Sequence, residues 1–231
     1  AGAEINLIVS MPKSTRPNNS TNVASFAKKK GISYYEIKDI NSLKSFKLLS
    51  KYSCDYFFVS WPQILSKKIF GIPKKYSIGT HPTDLPLIRG RHPLHWIITL
   101  GISKSKLSFF KIDKGIDTGN ILLQIPYLIN SKDSISNVNN KVNSIGYKGT
   151  KNLYKKLIAN PTYKGLKQKN NLANYWRKRI LHDITIDLRM SSKSILRTVQ
   201  SFSKPYPCAN LIFEKNIIKI IHASQALKKM S

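Results

Sequence analysis

The sequence predicts an open α/β fold built around a mostly parallel sheet. Short apolar segments alternate with segments of helical spacing along much of the 231-residue chain, which is the β-α-β rhythm of that class. Residues 56–60 form a continuous apolar run, as expected for a strand covered by helices on both faces. With 41% hydrophobic residues, the chain is large enough to bury one sizeable core.

The elements follow from spacing and from residues that start or stop them. Strands are predicted at residues 5–9, 33–37, 56–60, 76–81, 107–112 and 121–126. Helices are predicted at residues 23–30, 42–51, 64–70 and 93–100. Gly31 ends the first helix, and Pro93 is a favourable first residue for the fourth.

The C-terminal third has a different pattern. Residues 134–159 show helical spacing, with a candidate core face at Ile135, Val138, Val142, Ile145, Leu153 and Leu157. A polar segment follows, then a helix at 192–201 and a hairpin of strands 209–213 and 217–221. We therefore predict a catalytic domain at 1–160, a linker at 161–182 and a small C-terminal region at 183–231. Because two strands are too few for a stable β domain, this last region must dock or be incomplete.

Composition limits the partners and the compartment. Lys plus Arg number 39 against 11 for Asp plus Glu, a formal charge of +28, which suggests a phosphate-bearing partner such as a nucleotide-linked substrate, nucleic acid or anionic lipid. The lysines are scattered in Lys/Asn/Ile/Ser-rich sequence without a basic stripe carrying interleaved aromatics, so nucleic acid is not the favoured partner. Cys54 and Cys208 indicate neither a disulfide framework nor zinc. The apolar runs are too short to cross a membrane and no export signal is evident, so we expect a cytoplasmic protein.

A histidine and an aspartate form the candidate chemical pair. The sequence lacks both GxGxxG and GxxxxGK[ST], so we predict neither the usual dinucleotide-binding site nor a P-loop. His81 stands where a strand ends, and ligands of open α/β sheets bind beyond such ends. There it can stabilise an oxyanion or carry a proton if a carboxylate orients it. Asp117, between the turn glycines Gly115 and Gly119, is the candidate carboxylate. Either residue alone would ordinarily be structural, but together they indicate acid/base chemistry.

Other polar residues have weaker signals. Arg89 and Arg91 lie in a Pro-containing loop that could present cations to phosphate or carboxylate. His92 and His95 have the spacing of a helical metal pair, but no third ligand accompanies them, so we expect no metal.

The sequence around His81 and Asp117 resembles that of the formyltransferases that use 10-formyltetrahydrofolate. The matching residues are Thr80-His81-Pro82-Thr83, Leu85-Pro86, Arg89-Gly90, Pro93 and Gly115-Ile116-Asp117-Thr118-Gly119. Gln63-Ile64-Leu65 resembles the loop of that family that holds the pterin, and Lys204-Pro205-Tyr206-Pro207 resembles the entry to its smaller C-terminal domain. The resemblance implies a Rossmann-like sheet with a short C-terminal β appendage.

The resemblance also implies roles for individual residues. The catalytic set is His81, Asp117, Thr80 and Gly79. The set for the folate donor is Gln63, Ile64, Leu65, Arg89, Gly90, Ile112, Asp113 and Gly115. The set for the acceptor is Arg91, His92, Trp96 and Tyr206. The sequence of residues 89–96 resembles sugar N-formyltransferases more than methionyl-tRNA formyltransferases. This resemblance implies that the acceptor is a nucleotide-linked amino sugar, a precursor of surface polysaccharide.

Several positions depart from the family pattern. Gly79 stands in place of an asparagine, Gln200 in place of an arginine and Cys208 in place of a glycine. The resemblance begins after the family's first strand and helix, which predicts an empty central position in the sheet with exposed strand edges beside it. A homodimer could complete the short C-terminal appendage. Two alternatives stay open: formylation of an initiator tRNA, and a non-catalytic or degenerate protein that binds folate or nucleotide.

Overall fold

A computed structural model describes residues 2–16 and 20–226. The last residues of the predicted C-terminal region, 227–231, and residues 1 and 17–19 lie outside this part. The strands are β1 Leu7–Ser10, β2 Ser33–Glu36, β3 Tyr56–Val59, β4 Tyr76–His81, β5 Arg89–Gly90, β6 Lys104–Lys111, β7 Ile121–Leu128, β8 Tyr175–Trp176, β9 Thr185–Ile186, β10 Ala209–Phe213 and β11 Asn216–Ile220. The helices are α1 Val23–Lys30, α2 Leu43–Leu49, α3 Lys67–Phe70, α4 Pro93–Leu100, α5 Ile135–Ala159 and α6 Ser192–Ser201.

The α/β class is confirmed. Strands β3 and β4 are parallel neighbours in a four-stranded sheet of order β3-β4-β6-β7, in which β6 and β7 run antiparallel. A second parallel pair, β1 and β2, forms its own two-stranded sheet. This arrangement places the carboxyl end of β4, and with it His81, at the edge where ligands of such sheets bind.

A groove separates the two sheets. It has a volume of about 1100 Å³ and is lined by residues of both β1 and β3. The carbonyl oxygen of Ser10 accepts the backbone N–H of Ile37, which follows β2. Because the backbone N–H and C=O groups of successive strand residues point to opposite sides, those of Val9 face the groove. Within the described residues, β1 and β3 therefore line the groove from two sides without pairing.

Helix α5 covers one face of the four-stranded sheet. Its N-terminus is closed by a capping box between Ser134 and Asn137, which satisfies two of the free amides at the helix start. The predicted core face is confirmed, since Ile135, Val138, Leu153 and Leu157 are buried while Val142 and Ile145 pack against the same clusters.

The segment at 161–182 differs from the expected linker. Leu166 bridges to Ile121, β8 pairs in parallel with β5, and Gln168 is only 5% exposed. This polar segment therefore packs along the main unit. In the C-terminal region, β9, β10 and β11 form a three-stranded sheet, whose small core includes Val199 of α6. Cys208 adopts a φ of 66°, a conformation that suits the glycine of the family pattern better than cysteine.

Candidate active site

The structure brings His81 and Asp117 together. His81 is the last residue of β4 and is 5% exposed. Asp117 lies in the turn between β6 and β7 with a φ of 54°. The Nδ1 atom of His81 is 3.5 Å from Oδ2 of Asp117, and the same oxygen accepts the backbone N–H of Gly90 at 2.8 Å. The carboxylate is thus held between a backbone donor and the imidazole.

The second ring nitrogen of His81 fixes its orientation. Nε2 lies 2.8 Å from the carbonyl oxygen of Ile88. Because a carbonyl only accepts hydrogen bonds, Nε2 must carry a proton. The other ring nitrogen, Nδ1, is the one that faces Asp117.

Alternation along β4 separates the other two predicted catalytic residues. Gly79 and His81 lie on one face, whereas Thr80 is exposed on the other, opposite Phe109 of β6. The structure therefore does not bring Thr80 to the His81 side. Space beside Gly79 is taken, since a Cβ atom there would be 2.9 Å from Cζ of Phe110 and 3.3 Å from Cγ1 of Ile112.

The turn that carries Asp117 is organised by Asp113. Its Oδ1 accepts the backbone N–H of Gly115 at 3.0 Å and the hydroxyl of Thr118 at 2.6 Å. At the end of the turn, a Cβ on Gly119 would be 1.8 Å from the carbonyl oxygen of Lys111, so only glycine fits this close approach. Asp113 therefore shapes the loop beside His81 and Asp117.

Arg89 is held by three polar side chains of a later segment. The residue is 1% exposed, and its guanidinium donates to Gln168, Asn170 and Tyr175. The neighbouring Gly90 has a φ of 108°, and a Cβ there would be 2.3 Å from the carbonyl oxygen of Trp176. The backbone therefore requires glycine at the position that donates to Asp117.

The predicted folate loop is held by one further residue, Asn41. Its side chain accepts from the backbone N–H of Ser66 and donates to the carbonyl of Ile64. The side-chain oxygen of Gln63 accepts from Trp61 and from the backbone of Ile40. Within the described residues, the backbone groups of Gln63 and Leu65 make no hydrogen bond. These groups fit a ligand with hydrogen-bonding edges, as a pterin has.

The predicted acceptor residues divide into two groups. Arg91 is exposed, and His92 begins α4 with a φ of 55°. Burial, and then the charges of Arg91, Lys178 and Arg179, lower the pKa of His92. Nδ1 of His92 is buried without a partner among the described residues.

The other two contribute mainly to packing. Trp96 lies in the hydrophobic core, where its Nε1 donates to the carbonyl of Arg177. The ring of Tyr206 packs edge-on against His95, and its hydroxyl accepts from Asn139. Gln200, where the family pattern has arginine, donates to the carbonyl of Ser131.

Residues 2–16 and 20–226 contain no cluster of three or more metal-ligating side chains. The same residues contain no helix that combines the length and apolarity needed to cross a membrane.

Comparison with known proteins places this geometry in a family. A profile described as formyl transferase matches residues 3–153. The chain is 34% identical over 197 residues to a bifunctional polymyxin resistance protein ArnA of Wigglesworthia glossinidia brevipalpis, covering 78% of this chain and 28% of that protein. It is 30% identical over 234 residues to a methionyl-tRNA formyltransferase of Prochlorococcus marinus (strain MIT 9312), covering 94% of this chain and 69% of that protein.

A solved structure shares the fold. A sugar N-formyltransferase from Shewanella sp FDAARGOS_354 superposes with a TM-score of 0.69 at 17% identity, over 91% of this chain and 84% of the other. The chain spans 28% of the length of the ArnA relative and 69% of the Prochlorococcus relative. With the family profile covering most of the α/β unit and the His81–Asp117 pair at the end of β4, the chain belongs to the formyl transferase family.

Proposed function

We propose that this chain transfers the formyl group of 10-formyltetrahydrofolate to the amine of a nucleotide-linked amino sugar. The observation that carries the proposal is the buried His81 ring, aimed at Asp117 from the end of β4 in a formyl transferase fold. The groups present are a proton carrier, a carboxylate and a backbone donor. This set suits acyl transfer to an amine, which needs an oxyanion stabiliser and a proton acceptor.

The reaction follows from these groups. The acceptor amine attacks the formyl carbon, and a new C–N bond forms as charge develops on the formyl oxygen. His81 stabilises that oxyanion by sharing its Nε2–H between the Ile88 carbonyl and the formyl oxygen, and Asp117 orients the ring and takes the proton that the amine loses. Collapse of the intermediate breaks the bond to N10 of the folate, which receives the proton. Free tetrahydrofolate and the formamide leave, so atoms and charge balance.

Two regions support the assignment of the substrates. The loop at 63–65, with its unpaired backbone groups, is the proposed site for the pterin. On the acceptor side, Arg91 is exposed, and the charges of Arg91 and Lys178 both lower the pKa of His92. Such cations suit a diphosphate.

Formylation of methionyl-tRNA is the second candidate. It is favoured by the formal charge of +28 and by the Prochlorococcus relative. The two acceptors differ in how they respond to salt. A tRNA bound through many phosphates loses affinity steeply as ionic strength rises, whereas a single nucleotide diphosphate responds weakly.

The test is release of tetrahydrofolate from 10-formyltetrahydrofolate with each acceptor class, between 50 and 200 mM salt. We expect turnover with a nucleotide-linked amino sugar, and a loss of about 10²-fold to 10⁴-fold in His81→Ala and in Asp117→Asn, because both remove proton transfer. Lys178→Ala, on the acceptor side, should raise KM for the sugar and leave kcat near wild type.

Two results would contradict the proposal. Turnover only with methionyl-tRNA, falling steeply with salt, would assign the second candidate. Folate binding without turnover in the presence of either acceptor would identify a non-catalytic binding protein.

A further inference from the structure

We propose that Gln168 and Asn174 are positioning residues that hold His81 and Asp117 in their reactive arrangement. The proposal rests on the proposed function, since it assigns to the segment at 168–176 a part in the same acyl transfer. Sequence patterns indicated only a linker here. The hydrogen bonds instead connect this segment to both members of the catalytic pair.

Asn174 acts on His81 through Ile88. The β-branched Ile88 has a φ of 56°, a left-handed conformation that such side chains strongly disfavour. Oδ1 of Asn174 accepts the backbone N–H of Ile88 at 2.8 Å, and the carbonyl of Asn174 accepts the next amide, that of Arg89, at 3.0 Å. Held in this way, Ile88 points its carbonyl at Nε2 of His81, 2.8 Å away. Asn174 therefore sets the backbone that fixes the imidazole.

Gln168 acts on Asp117 through the backbone of its turn. Nε2 of Gln168 donates to the carbonyl of Asp117 at 2.9 Å and to that of Gly119 at 2.7 Å. At the other end of the amide, Oε1 accepts from Nε and Nη2 of Arg89 at 3.2 and 2.7 Å. The turn that carries Asp117 is thereby joined to the strand whose Gly90 N–H binds the Asp117 carboxylate.

The side chain of Asn174 binds through its oxygen, whereas that of Gln168 binds through both its oxygen and its nitrogen, and this difference can be tested. Both side-chain contacts of Asn174 are made by its oxygen, which accepts from Ile88 and from Nε1 of Trp176. Aspartate can accept both bonds. Gln168 needs a donor at one end and an acceptor at the other, so glutamate keeps the pairing with Arg89 but sets an oxygen against two carbonyls. The same amide-to-acid change should therefore be tolerated at 174 and harmful at 168.

The first experiment measures kcat and KM with the acceptor that supports turnover. For Asn174→Leu we expect kcat to fall by about ten- to a hundredfold with little change in KM for the folate, because a small misplacement of reacting groups costs this much. Asn174→Asp should stay within about threefold of wild type, whereas Gln168→Glu should fall like Asn174→Leu. Leu172→Ala is the matched control, since this side chain lies in the same segment and is 54% exposed. A fully active Gln168→Glu, or an Asn174→Leu that Asn174→Asp does not rescue, would overturn the proposal.

The second experiment is independent of turnover. In protein with ¹⁵N-labelled histidine, the Nε2–H signal of His81 should move when Asn174 becomes Leu and return when it becomes Asp. If that signal is the same in wild type and Asn174→Leu, Asn174 does not position His81, whatever the activity. If wild type shows no turnover with any acceptor while the signal moves as expected, the proposed function fails and the positioning role stands.

Discussion

The residues Gly79 and Phe110 decide how much room exists beside His81. They face each other across β4 and β6, and Phe110 is 6% exposed. A Cβ at position 79 would approach Cζ and Cε1 of the ring to 2.9 and 3.0 Å, closer than ordinary van der Waals contact. The aromatic ring therefore fills the volume that the asparagine of the family pattern would need.

We accordingly expect Gly79→Asn alone to be harmful. Forcing atoms into a packed site costs about 1–3 kcal/mol, and each kcal/mol lowers the melting temperature of a chain of this size by roughly 2–4 °C. The displaced ring would also disturb the His81 side, so turnover should not rise. Melting curves and the folate release assay measure both effects.

Shrinking the ring should reverse this result. In Gly79→Asn combined with Phe110→Leu, the amide gains space beside His81, and an added oxyanion donor is worth up to about 10²–10³ in rate. Phe110→Leu alone serves as the control for the lost ring. The packing argument is wrong if Gly79→Asn melts like wild type, or if the double variant is no more stable than the single one.

At the scale of elements, α4 and α6 are joined by a buried histidine. Nδ1 of His95 in α4 donates to the carbonyl of Ser201 in α6, and the ring stacks on Phe202 with centroids 4.4 Å apart. Burial lowers the pKa of His95 to about 4 against an ordinary 6.5, and the charges of His92 and Arg179 act in the same direction. The folded protein therefore keeps this ring neutral.

This lowered pKa predicts that acid loosens the contact between the two helices. Between pH 6.5 and 4 the unfolded chain binds a proton at His95 that the folded chain does not, so stability is full above pH 6.5 and falls toward pH 4. The loss is on the order of 3 kcal/mol at most. Urea unfolding across this range should show a steeper decline for wild type than for His95→Asn, whose amide can still donate to Ser201. Equal slopes would mean that His95 does not control the acid response.

The same elements show what sequence reasoning can reach. Helix α4 is predicted with its observed bounds, and Pro93, which starts it, is a local signal. The pair of His81 and Asp117 was also accessible, since one ends a strand and the other lies in a glycine turn. By contrast, the pairing of β5 with β8 consists of two residues on each side and joins positions 86 apart. The amides of Gln168 and Asn174 lie in polar sequence without periodicity, so nothing local reveals their partners.

At the scale of the whole molecule, the β1–β2 sheet has fewer strand pairings than the four-stranded sheet. Strand β4 is paired on both sides, with β3 and β6, whereas β1 pairs only with β2 within the described residues. An apolar cluster that lines the groove includes Leu49 and Ile69 together with Val9 and Phe57. On the open side of the groove, Phe58 and Tyr147 are 47% and 77% exposed.

This imbalance predicts that the β1–β2 unit opens before the rest of the sheet. Regions with few buried contacts and solvent-facing backbone open with smaller free energies than core strands. Native-state hydrogen exchange should therefore show amides of β1 and β2 exchanging at least about tenfold faster than those of β4 and β6, since 1.4 kcal/mol of local stability corresponds to a factor of ten. Helix α5 provides the internal reference, because Leu153 and Leu157 anchor it to the four-stranded sheet. Equal protection across both sheets would contradict this prediction and show that they open as one cooperative unit.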